Sequence, residues 1–421
     1  NWGDEGKGRM VDLISQEYDI VARYQGGNNA GHTVKNERGK FVLNLLPSGI
    51  LRPNVVCVMG NGMVIDPHHL DGEINKLREQ GIEITPANLK ISDRATITMP
   101  YHVEQDGLEE ARLSKTGAQF GSTKRGIAYA YGDKYMKKTL RMGDLLHLDD
   151  AVKKRLVTMV DSKNLVMEGS YNAAPISVDE MWAWLEKYAA IFKDYICDVG
   201  QYLADADAAG KKVLFEAQLG ALRDIDFGIY PYTTSSNVIG AYAPIGAGIP
   251  GHKLHNSIGV MKAYSSCVGD GPFAAELAMT EEEKHALREA GHEYGAATGR
   301  PRRVGPIDLV ASRYGVFCQG CDEVALTLLD VLDYMEKIPM VTAYKLTDGT
   351  TTRFPMGEAL DTAQPVVEYL PGWHCDITAA RKWEDLPQQA RDYVEYLEKA
   401  VGCKITYISV GAEREAYIHR G

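Results

Sequence analysis

Short apolar runs that end in glycine-rich turns alternate along the chain with longer amphipathic stretches. Residues 19–24 (Asp-Ile-Val-Ala-Arg-Tyr) read as a buried strand delivering the turn Gly26 to Thr33, and residues 55–59 as a second strand ending at Gly60-Asn61-Gly62. A helix is expected over 67–80, a strand over 89–92, and helical regions over 149–167 and 178–209. The last of these carries Met181, Trp184, Leu185, Tyr188, Ile191 and Phe192 at three- and four-residue spacing, a stripe most simply assigned to the core. Gly210 should close that helix, with a strand following at 212–216. Strands are further expected at 323–332, ending near Asp330, and at 340–345, 366–370 and 404–410, with a helix over 385–401. Strands ending in glycine-rich loops fit an α/β fold with ligands at the carboxyl ends of the strands. The expectation is a large single domain, spanning 1–421, around a mainly parallel sheet with helices on both faces and long ligand-binding loops.

The polar stretches between these elements are unusually long. Residues 115–141 are polar, glycine-rich and basic with no clear helical period, too long for an ordinary connector. Residues 224–237 form a hydroxyl-rich loop, residues 246–251 a flexible stretch, and residues 295–303 place three arginines beside glycines, a composition suited to phosphate or carboxylate recognition.

A formal charge of −11, from 46 basic and 57 acidic residues, argues against a general nucleic-acid or anionic-membrane binder, so local basic clusters read as sites. Seven scattered cysteines fit reduced thiols in a cytoplasmic protein, and the lone Cys318-x-x-Cys321 lacks the second pair that zinc would need. No apolar run approaches a membrane span and no signal peptide opens the chain. With no initial Met and a motif at the first residue, the chain reads as lacking some N-terminal residues.

Chemistry concentrates at the start. Glycines at 3, 6 and 8 allow backbone N–H groups to turn toward one spot and hold an anion, while Lys7 adds a positive charge and Asp4 a carboxylate. The spacing is not that of a Walker A loop. On loop chemistry alone a phosphate cradle and a plain glycine-rich turn both fit; Asp4 could cap a turn and His32 could be a buried hydrogen-bonding histidine.

Trp2-Gly-Asp-Glu-Gly-Lys-Gly8 together with Gly26-Gly-Asn-Asn-Ala-Gly-His-Thr33 closely resembles adenylosuccinate synthetase, which joins aspartate to IMP using GTP. The resemblance runs on through Gly121-Ser122-Thr123, Leu140 to Asp144, the 224–237 loop and Lys262-Ala263-Tyr264-Ser265. It implies Asp4 as the base for the N1 proton, His32 as donor at the C6 oxygen, and Lys7 as a catalytic cation. It implies magnesium held by Asp4 and the carbonyl of Gly31, hard oxygen ligands suited to that ion. IMP would contact Asp4, Glu5, Gly6, Lys7, Asn29, Ala30, Gly31, His32, Thr123, Gln218, Thr234 and Arg300, with Lys137 reaching the other subunit's IMP in a homodimer. GTP would contact Gly3 to Arg9, Gly31, His32, Thr33, Arg302, Leu328, Leu329, Asp330, Ser409, Val410 and Gly411, with Asp330 accepting from the guanine edge. L-aspartate would be covered by Ala296, Ala297, Thr298, Gly299, Arg300, Pro301 and Arg302. A family strand would precede residue 1. No nucleic-acid or membrane partner is implied.

Departures from the family pattern are specific. Phe215-Glu-Ala-Gln-Leu-Gly220 puts Gln218 one place early and Leu219 at the expected glutamine, which on a strand would flip the side chain unless a bulge restores it. Lys124 replaces a glycine, Lys137 an arginine, Leu328 a lysine, and Ala297 a threonine. Two other functions stay open at this point: a related synthetase acting on another purine nucleotide such as dGMP, and a nucleotide-binding paralogue with a regulatory role.

Overall fold

The structure, a computed structural model, describes residues 1–36, 39–117, 121–295, 299 and 301–420. Helix α1 (Lys7–Ile14) leads into β1 (Ile20–Arg23), and a hairpin of β2 (His32–Asn36) and β3 (Gly39–Leu43) follows. With β4 (Val56–Met59), β5 (Leu89–Ser92), β6 (Ile196–Cys197) and β7 (Val213–Glu216), β1 forms a five-stranded parallel sheet in the order β6-β5-β4-β1-β7.

Strand alternation explains why helices cover both faces. Val21, Cys57 and Met59 point into one core with α2 (Pro67–Glu79), α5 (Asp150–Tyr171) and α6 (Val178–Phe192), through residues such as Leu70, Leu156 and Phe192. Ile20, Ala22 and Val58 point the opposite way, against Val199 and Leu203 of α7 (Val199–Ala208) and Ala243 and Ala247 of α8 (Ala243–Ala247). The expected α/β architecture around a mainly parallel sheet is therefore present.

That sheet comes in two parts. A second one runs β8 (Ile258–Lys262), β9 (Glu323–Thr327), β10 (Lys404–Ser409) in parallel, with β11 (Tyr417–His419) antiparallel at its edge. The facing edges of β7 and β8 line a shared cavity of about 580 Å³, floored by Met10 and Ile14 of α1.

Four local expectations need correction. Residues 115–141 contain a helix, α4 (Ile127–Met136), started by left-handed Gly126, whose added Cβ would lie 2.7 Å from the backbone of His102. The 178–209 stretch is two helices, because the chain turns after Phe192, inserts β6, and restarts at Asp198, whose carboxylate accepts from Gln201 N–H. The strand expected to end near Asp330 stops at Thr327: Leu328 takes a left-handed φ of 59° and Asp330 sits on the short 3-10 turn Leu329–Leu332. Residues 246–251 are not a loose stretch at their start, since Gly246 lies in α8, where an added Cβ would meet the Tyr24 carbonyl oxygen at 2.2 Å, and left-handed Gly248 ends the helix. Helix α3 (Pro100–Ser114), which the apolar pattern did not single out, packs against α4 and α5.

Candidate active site

The loop before α1 is shaped by its own acid. Buried Glu5 accepts N–H bonds from Trp2 at 2.5 Å and Gly3 at 2.9 Å, which turns its carboxylate inward as a brace for the loop. Gly6 enters α1 with φ 92°, where a side chain would be strained. Thr327, at the carboxyl end of β9, donates its hydroxyl to the Glu5 carbonyl at 2.7 Å and so fastens the loop to the second sheet. Lys7 folds back to donate to the Gly3 carbonyl at 3.0 Å. Burial lowers the Lys7 pKa, against the opposing pull of Glu5, Asp4 and Glu216. Its ammonium is therefore in the field of carboxylates from its own loop and from the end of β7.

The start of α1 presses on β2: a Cβ at Gly8 would lie 2.9 Å from the His32 Cβ. His32 is buried and its Nδ1 pairs with Glu216, the last residue of β7. Glu216 also accepts from Ser48 N–H and the Ser48 hydroxyl, each at 2.7 Å. Burial lowers the His32 pKa despite Glu216, and Glu216 itself, although desolvated, is held below the ordinary carboxylate range by His32 and Arg23. The imidazole meets the Glu216 carboxylate through Nδ1, which leaves Nε2 turned away from Glu216. The partner of His32 is thus Glu216 and not an amide.

Gln218 has another task. It lies past the end of β7, so strand alternation does not apply to it, and left-handed Leu219 (φ 63°) redirects the chain. Its amide nitrogen donates to Gly27 O at 2.7 Å and Asn44 O at 3.1 Å, and its fully buried Oε1 lies against Gly26 with no hydrogen-bond partner. Gln218 thereby holds the second glycine-rich turn, where Asn29 Oδ1 accepts from Gly27 N–H at 3.3 Å and Asn44 donates to Ala30 O at 2.9 Å. Gly31 and Thr33 flank His32 at the exposed side of this turn.

Asp4 sits inside a square of charges. Arg302 Nη1 is 2.7 Å from Asp4 Oδ2 and 2.8 Å from Glu293 Oε2. Lys262 Nζ is 3.5 Å from Asp4 Oδ2 and 2.6 Å from Glu293 Oε1. Neither Lys262 nor Glu293 stands out in the sequence as a site residue.

Loops carry the rest. Thr234 N–H donates to Arg223 O at 2.8 Å in the loop after β7, and the Ser236 hydroxyl donates to Gln25 at 3.1 Å, bringing that loop beside Gly26. Thr123 is exposed just before α4, whose Ile127 packs against Gly27. Lys137 caps α4 in a left-handed conformation and is exposed. On the far side of α1, Arg9 donates to the Ser409 hydroxyl at 2.6 Å and to Glu413 O at 2.5 Å, beside Val410 and Gly411. Asp330 Oδ1 is buried there without a partner, and burial raises the Asp330 pKa against the pull of Arg9. Leu329 is buried beneath it and Leu328 packs on the same core. Of the expected aspartate loop, Gly299, Pro301 and Arg302 are described; Ala296, Ala297, Thr298 and Arg300 lie outside the described residues.

A family model described as adenylosuccinate synthetase matches residues 1–418. The adenylosuccinate synthetase of Caldanaerobacter subterraneus subsp. tengcongensis is 43% identical over 418 residues, 99% of this chain and 96% of that one. The chain belongs to the adenylosuccinate synthetase family. Another adenylosuccinate synthetase, from Carboxydothermus hydrogenoformans, is 45% identical with the same coverage, 99% and 96%. The solved structure of fully ligated adenylosuccinate synthetase from Plasmodium falciparum superimposes with a TM-score of 0.92 at 34% identity, covering 100% of this chain and 98% of that one. A cyanophage S-2L succinoaminodeoxyadenylate synthetase bound to dGMP and dATP matches at a TM-score of 0.58 and 17% identity, over 99% and 92% of the two chains, a likeness of fold alone. As a family member, the chain is a ligase of purine nucleotide synthesis.

Proposed function

We propose that this adenylosuccinate synthetase family member joins L-aspartate to IMP at the expense of GTP, through a 6-phosphoryl-IMP intermediate. The C6 oxygen of a purine is a poor leaving group until it is phosphorylated. Asp4 takes the N1 proton, the C6 oxygen attacks the γ-phosphorus of GTP, and GDP departs; the aspartate amine then attacks C6 and inorganic phosphate leaves. His32 donates to the C6 oxygen, oriented by Glu216, while Lys7 offsets the phosphate charge.

The observation that carries this reading is the closeness of the two glycine-rich segments. A Cβ at Gly8 would lie 2.9 Å from the His32 Cβ, and Lys7, the residue before it, donates to the Gly3 carbonyl next to Asp4, which supports reading Asp4, Lys7 and His32 as one site.

The unpartnered Asp330 oxygen fits a guanine N–H edge, because a buried acceptor left unpaired in the free protein gains most from a donor pair. For magnesium, the described residues offer no cluster of three or more His, Cys, Asp or Glu side chains. A carboxylate and a carbonyl, from Asp4 and Gly31, suit an ion that takes its other ligands from phosphate and water. Bound there, it would neutralise phosphate charge. We assign Asn29, Thr123, Thr234 and Arg300 to IMP and residues 296–302 to aspartate. Exposed Lys137 would reach a partner subunit's nucleotide in a homodimer. No described helix is long and apolar enough to cross a membrane, and all seven cysteines are unpaired, which suits the cytoplasm.

The test offers purified protein IMP, dGMP or GMP with GTP or ATP and follows aspartate-dependent phosphate release. IMP with GTP should be the productive pair; turnover only with dGMP and ATP would overturn the assignment.

A further inference from the structure

Both ion pairs that Asp4 makes with described residues use the same oxygen, Oδ2. The two cations differ in how they are held. Lys262 is 3% exposed, and its Nζ also contacts Ser266 Oγ and Glu293 Oε1, each at 2.6 Å. Glu293 is 1% exposed and accepts in addition from the Tyr264 hydroxyl and Arg302. The lysine stem follows from β8, so its origin is a sheet strand and not a loop. Arg302, by contrast, has a side chain 21% exposed, follows the ligand loop directly, and leaves its buried Nε without a partner.

We propose that Lys262, anchored by Glu293 and Ser266, is a positioning residue for Asp4. It engages one lone pair of Oδ2 and so fixes the orientation of the carboxylate toward the purine N1–H, leaving the other lone pairs of Asp4 for the magnesium ion assigned to it, and it keeps doing so when substrates draw Arg302 away. Arg302 is the exchangeable cation of the square and Lys262 the permanent one. The inference rests on the reading of Asp4 as the base. Without Lys262, the departure of Arg302 would leave the carboxylate free to rotate about its side-chain torsions, and a base misplaced by an ångström loses much of its rate. Binding of IMP elsewhere, through the 27–31 turn and the 224–237 loop, would be unaffected.

The experiment uses the full chain with IMP, GTP, L-aspartate and magnesium. It measures kcat and KM for Lys262→Met, Lys262→Gln and Lys262→Arg, IMP affinity by calorimetry, and folding by circular dichroism. Lys262→Met should lower kcat on the order of a hundred-fold with KM for IMP and its affinity within about threefold of wild type. Lys262→Arg, which keeps a cation facing Oδ2, should recover at least about tenfold of that loss. If the methionine variant does not fold, Lys262→Gln carries the same expectation, since its amide can still meet Ser266 and Glu293. A folded Lys262→Met or Lys262→Gln protein with wild-type kcat would overturn the proposal, as would a loss confined to KM. Asp4→Asn is run in parallel: if it retains turnover, the assignment of the base fails; if it is inactive while Lys262→Met is not, only the role of Lys262 fails.

Discussion

Replacing Glu216 by Gln changes a single atom type at the most constrained carboxylate of the site. Glu216 is 1% exposed and accepts from three donors: His32 Nδ1–H, Ser48 N–H and the Ser48 hydroxyl. An amide has one oxygen for these. If that oxygen meets Ser48 N–H, the amide NH₂ faces His32, which must move its proton to Nε2; if it meets His32, the NH₂ faces a backbone N–H and both donors go unsatisfied. Losing one charge-assisted bond removes about 1.5–3 kcal/mol, and a buried donor facing a donor costs about 1–3 kcal/mol more. Stability should therefore fall by about 2.5–6 kcal/mol in a urea or guanidinium titration. In both arrangements His32 loses the carboxylate that stabilises a proton on each nitrogen, so kcat should fall by about 10²–10⁴. KM for IMP should change little, because Glu216 is screened from solvent behind His32. Ser48→Ala, which removes only the hydroxyl donor, should cost about 1 kcal/mol and leave most of the activity. A Glu216→Gln protein with unchanged midpoint and wild-type kcat would refute the reasoning.

Other consequences follow from single groups. Asp330→Asn should leave the free protein as stable as wild type or slightly more so, because the lost charge is one that burial disfavours; it should raise KM for GTP about a hundred-fold through loss of one acceptor to the guanine edge, and an unchanged KM would remove Asp330 from that role. Asp308 is buried, caps the helix Leu309–Gln319 and accepts from the Tyr344 hydroxyl at 2.5 Å, and burial pushes its pKa up from 3.8 to about 6. The folded state thus holds this proton more tightly than the unfolded one, so its contribution is full below pH 3.8 and is lost as pH rises to about 6. Asp308→Asn should flatten that part of the stability profile by about 3 kcal/mol, whereas parallel profiles for mutant and wild type would contradict it. Gly8→Ala would put a Cβ 2.9 Å from that of His32; stability should drop about 1–3 kcal/mol and kcat more than tenfold by displacement of the imidazole, measured by melting and steady-state turnover.

Asp4, Lys7 and His32 could be named as candidates because they lie in two local motifs that resemble a known family; glycine spacing alone fits a plain turn as well as an anion cradle. Their supports could not be named in this way. Glu216 is 184 residues from His32 and Lys262 is 258 from Asp4, and nothing in either neighbourhood distinguishes a strand-end acid or lysine that points at a site from one that meets solvent. The central strands read correctly because both of their faces are buried, making apolar runs continuous. Helix α4 was missed because only Ile127, Ala130, Tyr131 and Asp133 turn inward and Gly132 dilutes the pattern. The stop at Leu328 carried no signal at all, since a leucine in the left-handed region looks like any other leucine in an apolar run.

The central claim is that Asp4 removes the N1 proton so that the C6 oxygen of IMP can be phosphorylated. IMP carrying ¹⁸O at C6, incubated with the protein, GTP, L-aspartate and magnesium, tests it most directly through mass analysis of the phosphate released. The label should appear in inorganic phosphate, one atom for each adenylosuccinate formed, and Asp4→Asn should form neither product. Label that emerges in water, or labelled phosphate made at an undiminished rate by Asp4→Asn, would contradict the account.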